Sequence, residues 1–163
     1  HKLLFKMLHQ LECLDEKLFK KINLILTITE SEITFLSLTK EYVKIKKQVI
    51  LLGHIDKIQV ESQYNLASII LFPSTIETLG LPLIEAASKN KYILCAKEEY
   101  AYETLSGYNN VVFLDSEDHL VWAKALKDVI SSERYVIESI EKWQASETNS
   151  WPEVFDLMNK IIG

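Results

Sequence analysis

Five short apolar runs, at residues 22–28, 48–52, 68–72, 92–96 and 111–114, constrain the fold of this chain more than any other feature. Each is nearly continuous in hydrophobicity rather than alternating, which is the pattern of strands covered by helices on both faces, and parallel sheets are built that way. The segments between them carry helical spacing. Leu4, Leu8, Leu11, Leu14 and Leu18 make one apolar stripe on a helix expected over residues 2–20. Thr29 with Glu32 reads as a capping box opening a second helix that runs to the Lys44 region, and Asp56 caps a third that carries Val60 and Tyr64. Pro82 suits the first turn of a fourth. A fifth starts near Tyr100 and stops at Gly107. Asp115 or Ser116 opens a sixth through Leu120, Ala123, Leu126 and Ile130, and two more, at 133–145 and 151–162, close the chain.

Strand and helix in alternation, joined by right-handed crossovers, give an α/β fold with a doubly wound parallel sheet of about five strands. In such sheets ligands bind in the crevice beyond the carboxyl ends of the strands. The loops after Ile28, Leu52, Phe72, Ala96 and Leu114 are therefore expected on one edge. Residues 1–163 suffice for a single domain with its own core, since 48% are hydrophobic and 25% charged.

Composition removes several function classes. The net charge is -5 and acidic and basic residues interleave, so no field favours nucleic acid. The densest basic stretch, Lys44, Lys46 and Lys47, reads as a solvated helix end. Cys13 and Cys95 lie far apart in apolar patterns, which predicts two core thiols and a reducing, cytoplasmic setting. The histidines His1, His9, His54 and His119 show no ligand spacing, and no metal site is expected. No apolar run has the length of a membrane span.

The chemistry concentrates after the third strand. The chain leaves Phe72, crosses a loop containing Gly80 and enters a helix at Leu81 or Pro82. At such a helix start the N–H groups of Leu79, Gly80 and Leu81 lack partners, and with the helix dipole they form an anion site. Gly80 lets a ligand approach the backbone. Glu77 in the loop and Glu85, expected in the first helical turn, can both border the crevice. Carboxylates beside a phosphate site suit neutral hydroxyls, which donate to them strongly. A nucleotide sugar offers two hydroxyl clusters flanking a diphosphate. The plainer reading keeps Glu77 as a loop carboxylate and Glu85 as a favourable charge near a helix start. Tyr100, Tyr102 and Tyr108 can stack on a sugar or base, but a half-buried helix face accounts for them more simply. Trp143 and Trp151 read as packing anchors, and His54 as an exposed turn residue.

The stretch Glu77-Thr-Leu-Gly-Leu-Pro-Leu-Ile-Glu85, preceded by a strand and Pro73-Ser74, resembles the signature of the large retaining glycosyltransferase family called family four, with a GT-B fold. The flanks, from Tyr64 to Ser74, at Leu52 to Ile55 and at Tyr102-Glu103, are similar to that family as well. The resemblance implies a Rossmann-like lobe that binds a nucleotide sugar, UDP- or GDP-linked, without a metal or other cofactor. It implies that Glu85 holds the ribose and that Glu77 lies at the donor sugar near the reacting centre. It further implies that the backbone of Thr78, Leu79 and Gly80 donates to sugar and diphosphate, and that the backbone around Ile55 meets the base.

Two departures stand out against the family pattern. Its donor lobe opens with a strand and a loop bearing an arginine and a lysine, and neither is found here, nor is the acceptor-binding lobe. A gap between neighbouring strands, and no transferase activity for this piece alone, are the corresponding expectations. The loop at residues 27–31 also lacks the family's usual glycine. Two other classes compete. A GT-B nucleotide-sugar epimerase would need further acid-base groups, and a non-catalytic doubly wound module that binds a phosphate or a partner protein would need no transfer chemistry.

Overall fold

A computed structural model of the chain describes residues 1–135. The helix expected over 2–20 is two helices, α1 (Lys2–Leu14) and α2 (Glu16–Phe19), because Asp15 turns its carboxylate onto the Leu18 amide at 3.0 Å and caps a new start. β1 (Leu24–Leu26) follows. The second expected helix also divides, into α3 (Glu30–Phe35) and α4 (Thr39–Ile45), with Ser37 between them at φ 55. The Thr29–Glu32 capping box is present as expected. A 3-10 turn at Lys46–Gln48 leads into β2 (Val49–Leu51), and α5 (Lys57–Leu66) opens on a second capping box, Asp56 with Gln59. Then come β3 (Ile69–Phe72), α6 (Leu81–Ser88), β4 (Tyr92–Ala96), α7 (Glu99–Thr104), β5 (Val111–Leu114) and α8 (His119–Ser131). Asp118, not Asp115 or Ser116, caps α8, by accepting from Leu120 and Val121. Residues 133–135 are a turn, and the remainder of the two closing helices, with Trp143 and Trp151, lies outside the described residues.

The strands are parallel, but they form two sheets, β1-β2 and β3-β4-β5. One core runs under both. Leu24, Leu26 and Val49 from the first sheet and Tyr92, Leu94 and Leu114 from the second join Phe5, Met7, Leu8 and Leu11 of α1, Ile33, Tyr42 and Ile45 of α3 and α4, and Trp122, Leu126 and Val129 of α8. The opposite face of the second sheet has its own core, built from Ile93 and Cys95 against Leu83, Ala86 and Ala87 of α6 and Ala101 of α7, with Tyr64 of α5 at its margin. β4 is buried at every residue. The expectation of two-sided burial thus holds where α6 and α7 lie and fails for the first sheet, where Ile25 and Ile50 remain 41% and 42% exposed among the described residues.

The apolar stripes need two further corrections. α8 buries Trp122, Ala123, Leu126 and Val129, a face rotated from the expected one, because the Trp122 indole donates to the Asp115 carbonyl at 2.7 Å and turns the bulkiest side chain inward. Cys13 is exposed, off the α1 stripe that buries positions 4, 5, 7, 8 and 11, whereas Cys95 is buried and its thiol pushed up to about 12 by desolvation.

This winding fixes where a site can lie. The helices that follow β1 cover one face and α6, which follows β3, covers the other, so the chain changes faces between β2 and β3 through α5. Such a switch opens a crevice at the carboxyl ends of the strands, where the β3–α6 loop emerges. Phe5 is fully buried, with its ring centroid 5.9 Å from that of Tyr42. Phe5→Ala is expected to lower the unfolding free energy by about 3–5 kcal/mol, measured by urea denaturation.

Candidate functional site

The loop from Pro73 to Gly80 is the centre of the site. Gly80 adopts a left-handed conformation, φ 61 and ψ 44, at the N-cap of α6, a position with no side chain to accept from the helix start. A β-carbon there would meet Leu83 Cδ1 at 3.2 Å and the Tyr100 ring at 3.3 Å, so both the conformation and the space call for glycine. Pro82 stands in the first turn as expected, without an N–H, and the Leu83 amide turns back to the Gly80 carbonyl at 2.8 Å. The N–H groups of Thr78, Leu79, Gly80 and Leu81 donate to no group among the described residues. Four successive free donors at the start of an eight-residue helix make an anion-binding arrangement.

The carboxylates have different neighbours. Glu77 is exposed, and its Oε1 accepts from the Ser74 hydroxyl at 3.0 Å. Glu85 is also exposed and belongs to the second turn of α6, not the first, because the helix begins at Leu81. Its carboxylate lies beside Tyr64 of α5, whose hydroxyl donates to the Pro82 carbonyl at 3.3 Å. Burial, and then the Glu85 charge, drive the Tyr64 phenol upward, which keeps it a proton donor.

From the opposite side α7 reaches the same loop. Tyr100 Oη donates to the Ser74 carbonyl at 2.5 Å and Thr104 Oγ1 to the Leu79 carbonyl at 2.9 Å. Desolvation, with smaller contributions from Cys95, Glu77 and Glu98, pushes the Tyr100 phenol up to about 12. Tyr108 donates to the Lys91 carbonyl at 2.5 Å, and Tyr102 stacks on Phe113 at 4.1 Å. Tyr100 alone matches the simpler reading of a half-buried helix face, for Tyr102 is exposed on α7 and Tyr108 is buried beyond the end of that helix. No spacing or motif marks Thr104, and only the Pro-Ser step before Glu77 points to Ser74.

The neighbouring loops complete the edge. Gly53 turns at φ 66, followed by half-buried Ile55. His54, with a side chain 79% exposed, lies 3.6 Å from Glu32. The loop after β1 holds a capping box, in which Glu32 accepts from the Thr29 amide and hydroxyl, both at 2.8 Å. Among the described residues no three histidine, cysteine, aspartate or glutamate side chains converge as a metal site requires, and no helix is long and apolar enough to cross a membrane.

With an unpaired amide run and two flanking glutamates at the switch of a parallel α/β fold, the comparison that decides the family is a sequence match over residues 1–147 to the pattern described as "Glycosyl transferases group 1". The chain belongs to this family. Its Rossmann-like architecture is consistent with one lobe of a GT-B glycosyltransferase, and the family makes it a domain of the donor-binding type. No curated protein matches the chain.

Two outcomes follow from this geometry. Gly80→Ala is expected to cost about 1–2 kcal/mol of stability from the left-handed backbone alone, read by denaturant titration. Glu32 is held below its ordinary 4.5 by hydrogen bonds from the Thr29 amide and hydroxyl, and more weakly by the His54 charge, against desolvation. A depressed carboxyl contributes stability above its unfolded value and loses it as pH falls through the folded one. The stability advantage over Glu32→Gln is therefore expected in full above about pH 4.5 and to shrink below it, in urea titrations across that range.

Proposed function

We propose that this chain is the donor-binding domain of a retaining glycosyltransferase of family four, which transfers a sugar from a nucleoside diphosphate to a glycan or other acceptor. The observation that carries the reading is the run of unpartnered amides from Thr78 to Leu81 around left-handed Gly80 at the start of α6. A diphosphate accepts from such a run, and the helix dipole favours its charge.

The roles distribute around that cradle as the Glu-x7-Glu signature suggests. Glu85 accepts from the ribose hydroxyls, held from the α5 side by Tyr64, and the main chain at Ile55 meets the base. Glu77 faces the donor sugar near the reacting carbon, with Thr78, Leu79 and Gly80 donating to sugar and phosphate. As the glycosidic bond breaks, negative charge grows on the leaving diphosphate, and donors fixed in advance stabilise it without reorganising. In this reading amides and protein cations do that work without a metal ion.

Residues 73–81 contain no lysine or arginine. Cations that add to the amide cradle would then come from outside this loop, as the arginine and lysine of the family pattern would, and the lack of pairing between the two sheets among the described residues is in keeping with that pattern's further strand. Acceptor contacts belong to a second lobe of the same protein. On this account residues 1–163 alone transfer no sugar, and the whole protein draws on cytoplasmic nucleotide sugars.

The reading is tested by a thermal-shift panel of uridine, guanosine and adenosine diphosphates against the chain and against Glu85→Ala. One nucleotide is expected to raise the midpoint, and the substitution to remove most of that rise by deleting a charge-assisted hydrogen bond worth about 1.5–3 kcal/mol. No shift with any nucleotide, or an undiminished shift in Glu85→Ala, contradicts it.

A further inference from the structure

Within the β3–α6 loop the Ser74 hydroxyl reaches the Ile76 carbonyl at 3.5 Å and the Glu77 carboxylate at 3.0 Å. The loop leaves β3 at Phe72 and reaches α6 only at Leu81, and its side chains at Thr75, Ile76, Glu77 and Thr78 are exposed. Three contacts from α7 hold it. The Tyr100 hydroxyl takes the Ser74 carbonyl at the loop's beginning, the Thr104 hydroxyl takes the Leu79 carbonyl at its end, and the Tyr100 ring closes on bare Gly80. Tyr100 and Thr104 lie four residues apart, one turn of helix, so a single face of α7 grips both ends. The Ser74 whose carbonyl Tyr100 holds also donates from its hydroxyl to Glu77. Holding the two carbonyls fixes the peptide planes they belong to, and with them the Thr75 and Gly80 amides.

We infer that α7 is a brace that presents the Glu77 carboxylate and the Thr78–Leu81 amides in a geometry fit for the sugar diphosphate, with Tyr100 and Thr104 as positioning residues that touch no ligand. The inference rests on the donor-site reading above and adds a division of labour to it. α5, through Tyr64, supports the ribose end at Glu85, and α7 supports the diphosphate and sugar end. Loosening α7's grip should then weaken those ligands that carry the second phosphate and the sugar, and not those that end at the first phosphate.

The test compares two ligand lengths on the 163-residue chain. Isothermal titration gives the affinity ratio of UDP-glucose to UMP, and of GDP-mannose to GMP, for the unsubstituted chain, Tyr100→Phe, Thr104→Val and Thr104→Ser. Tyr100→Phe keeps the ring on Gly80, and Thr104→Ser keeps the hydroxyl. The expected result is a fall of about threefold to tenfold in the nucleotide-sugar affinity for Tyr100→Phe and Thr104→Val, with monophosphate affinity unchanged and Thr104→Ser restoring the ratio. An unchanged ratio overturns the brace and leaves the donor site standing. Equal weakening of both ligands, in step with a lowered melting temperature, makes α7 a general structural support and also overturns it. An unsubstituted chain that binds none of the four nucleotides overturns both readings.

Discussion

Gly80 is the residue on which three elements converge. The chain must leave a strand, expose a loop at the sheet edge and enter α6 within a few residues, and it does so through one left-handed residue with no side chain. The absence of a β-carbon lets the Tyr100 ring of α7 and the Leu83 side chain of α6 pack against the loop backbone. That packing in turn brings the hydroxyls of Tyr100 and Thr104 to the loop's carbonyls. With the carbonyls held from α7 and no capping side chain present, the loop's N–H groups are left free for a ligand.

The rest of the molecule positions this turn. Parallel strands need cover on both faces, and the two layers of helices meet that need unequally. α6 and α7 close over β3, β4 and β5 and make the second core, so the loop that bears Glu77 leaves the sheet from β3, beside fully buried β4. The first sheet buries one face against α1, α3 and α4 and leaves Ile25 and Ile50 partly open. A functional loop anchored on the sheet that is covered on both faces takes its geometry from the core beneath it.

Much of this is legible in the sequence. The apolar runs locate all five strands among the described residues, the Thr29–Glu32 and Asp56 caps fall where the residues indicate, and the helix start at Leu81 follows from Gly80 and Pro82. What escapes is set by competition at single residues. Asp15 draws the Leu18 amide to its carboxylate and breaks a long amphipathic stripe, and Ser37 takes a left-handed turn that no local pattern marks. Trp122 rotates α8 to satisfy its indole. The division of the sheet is a long-range fact that periodicity does not carry. At the site, the residue types and the order Glu77, Gly80, Glu85 could be read directly. The long-range contacts from Tyr64, Tyr100 and Thr104 could not, because their partners lie 18, 26 and 25 residues away in sequence and each contact ends on a backbone carbonyl.

The central claim is that the amides around Gly80 receive the diphosphate of a nucleotide sugar, and amide chemical shifts report on it most directly. In a titration of the ¹⁵N-labelled chain with UDP-glucose or GDP-mannose, the account predicts that the largest perturbations fall on the N–H resonances of Thr78, Leu79, Gly80 and Leu81. Saturable binding of either ligand that leaves those four resonances unmoved while shifting others would contradict it.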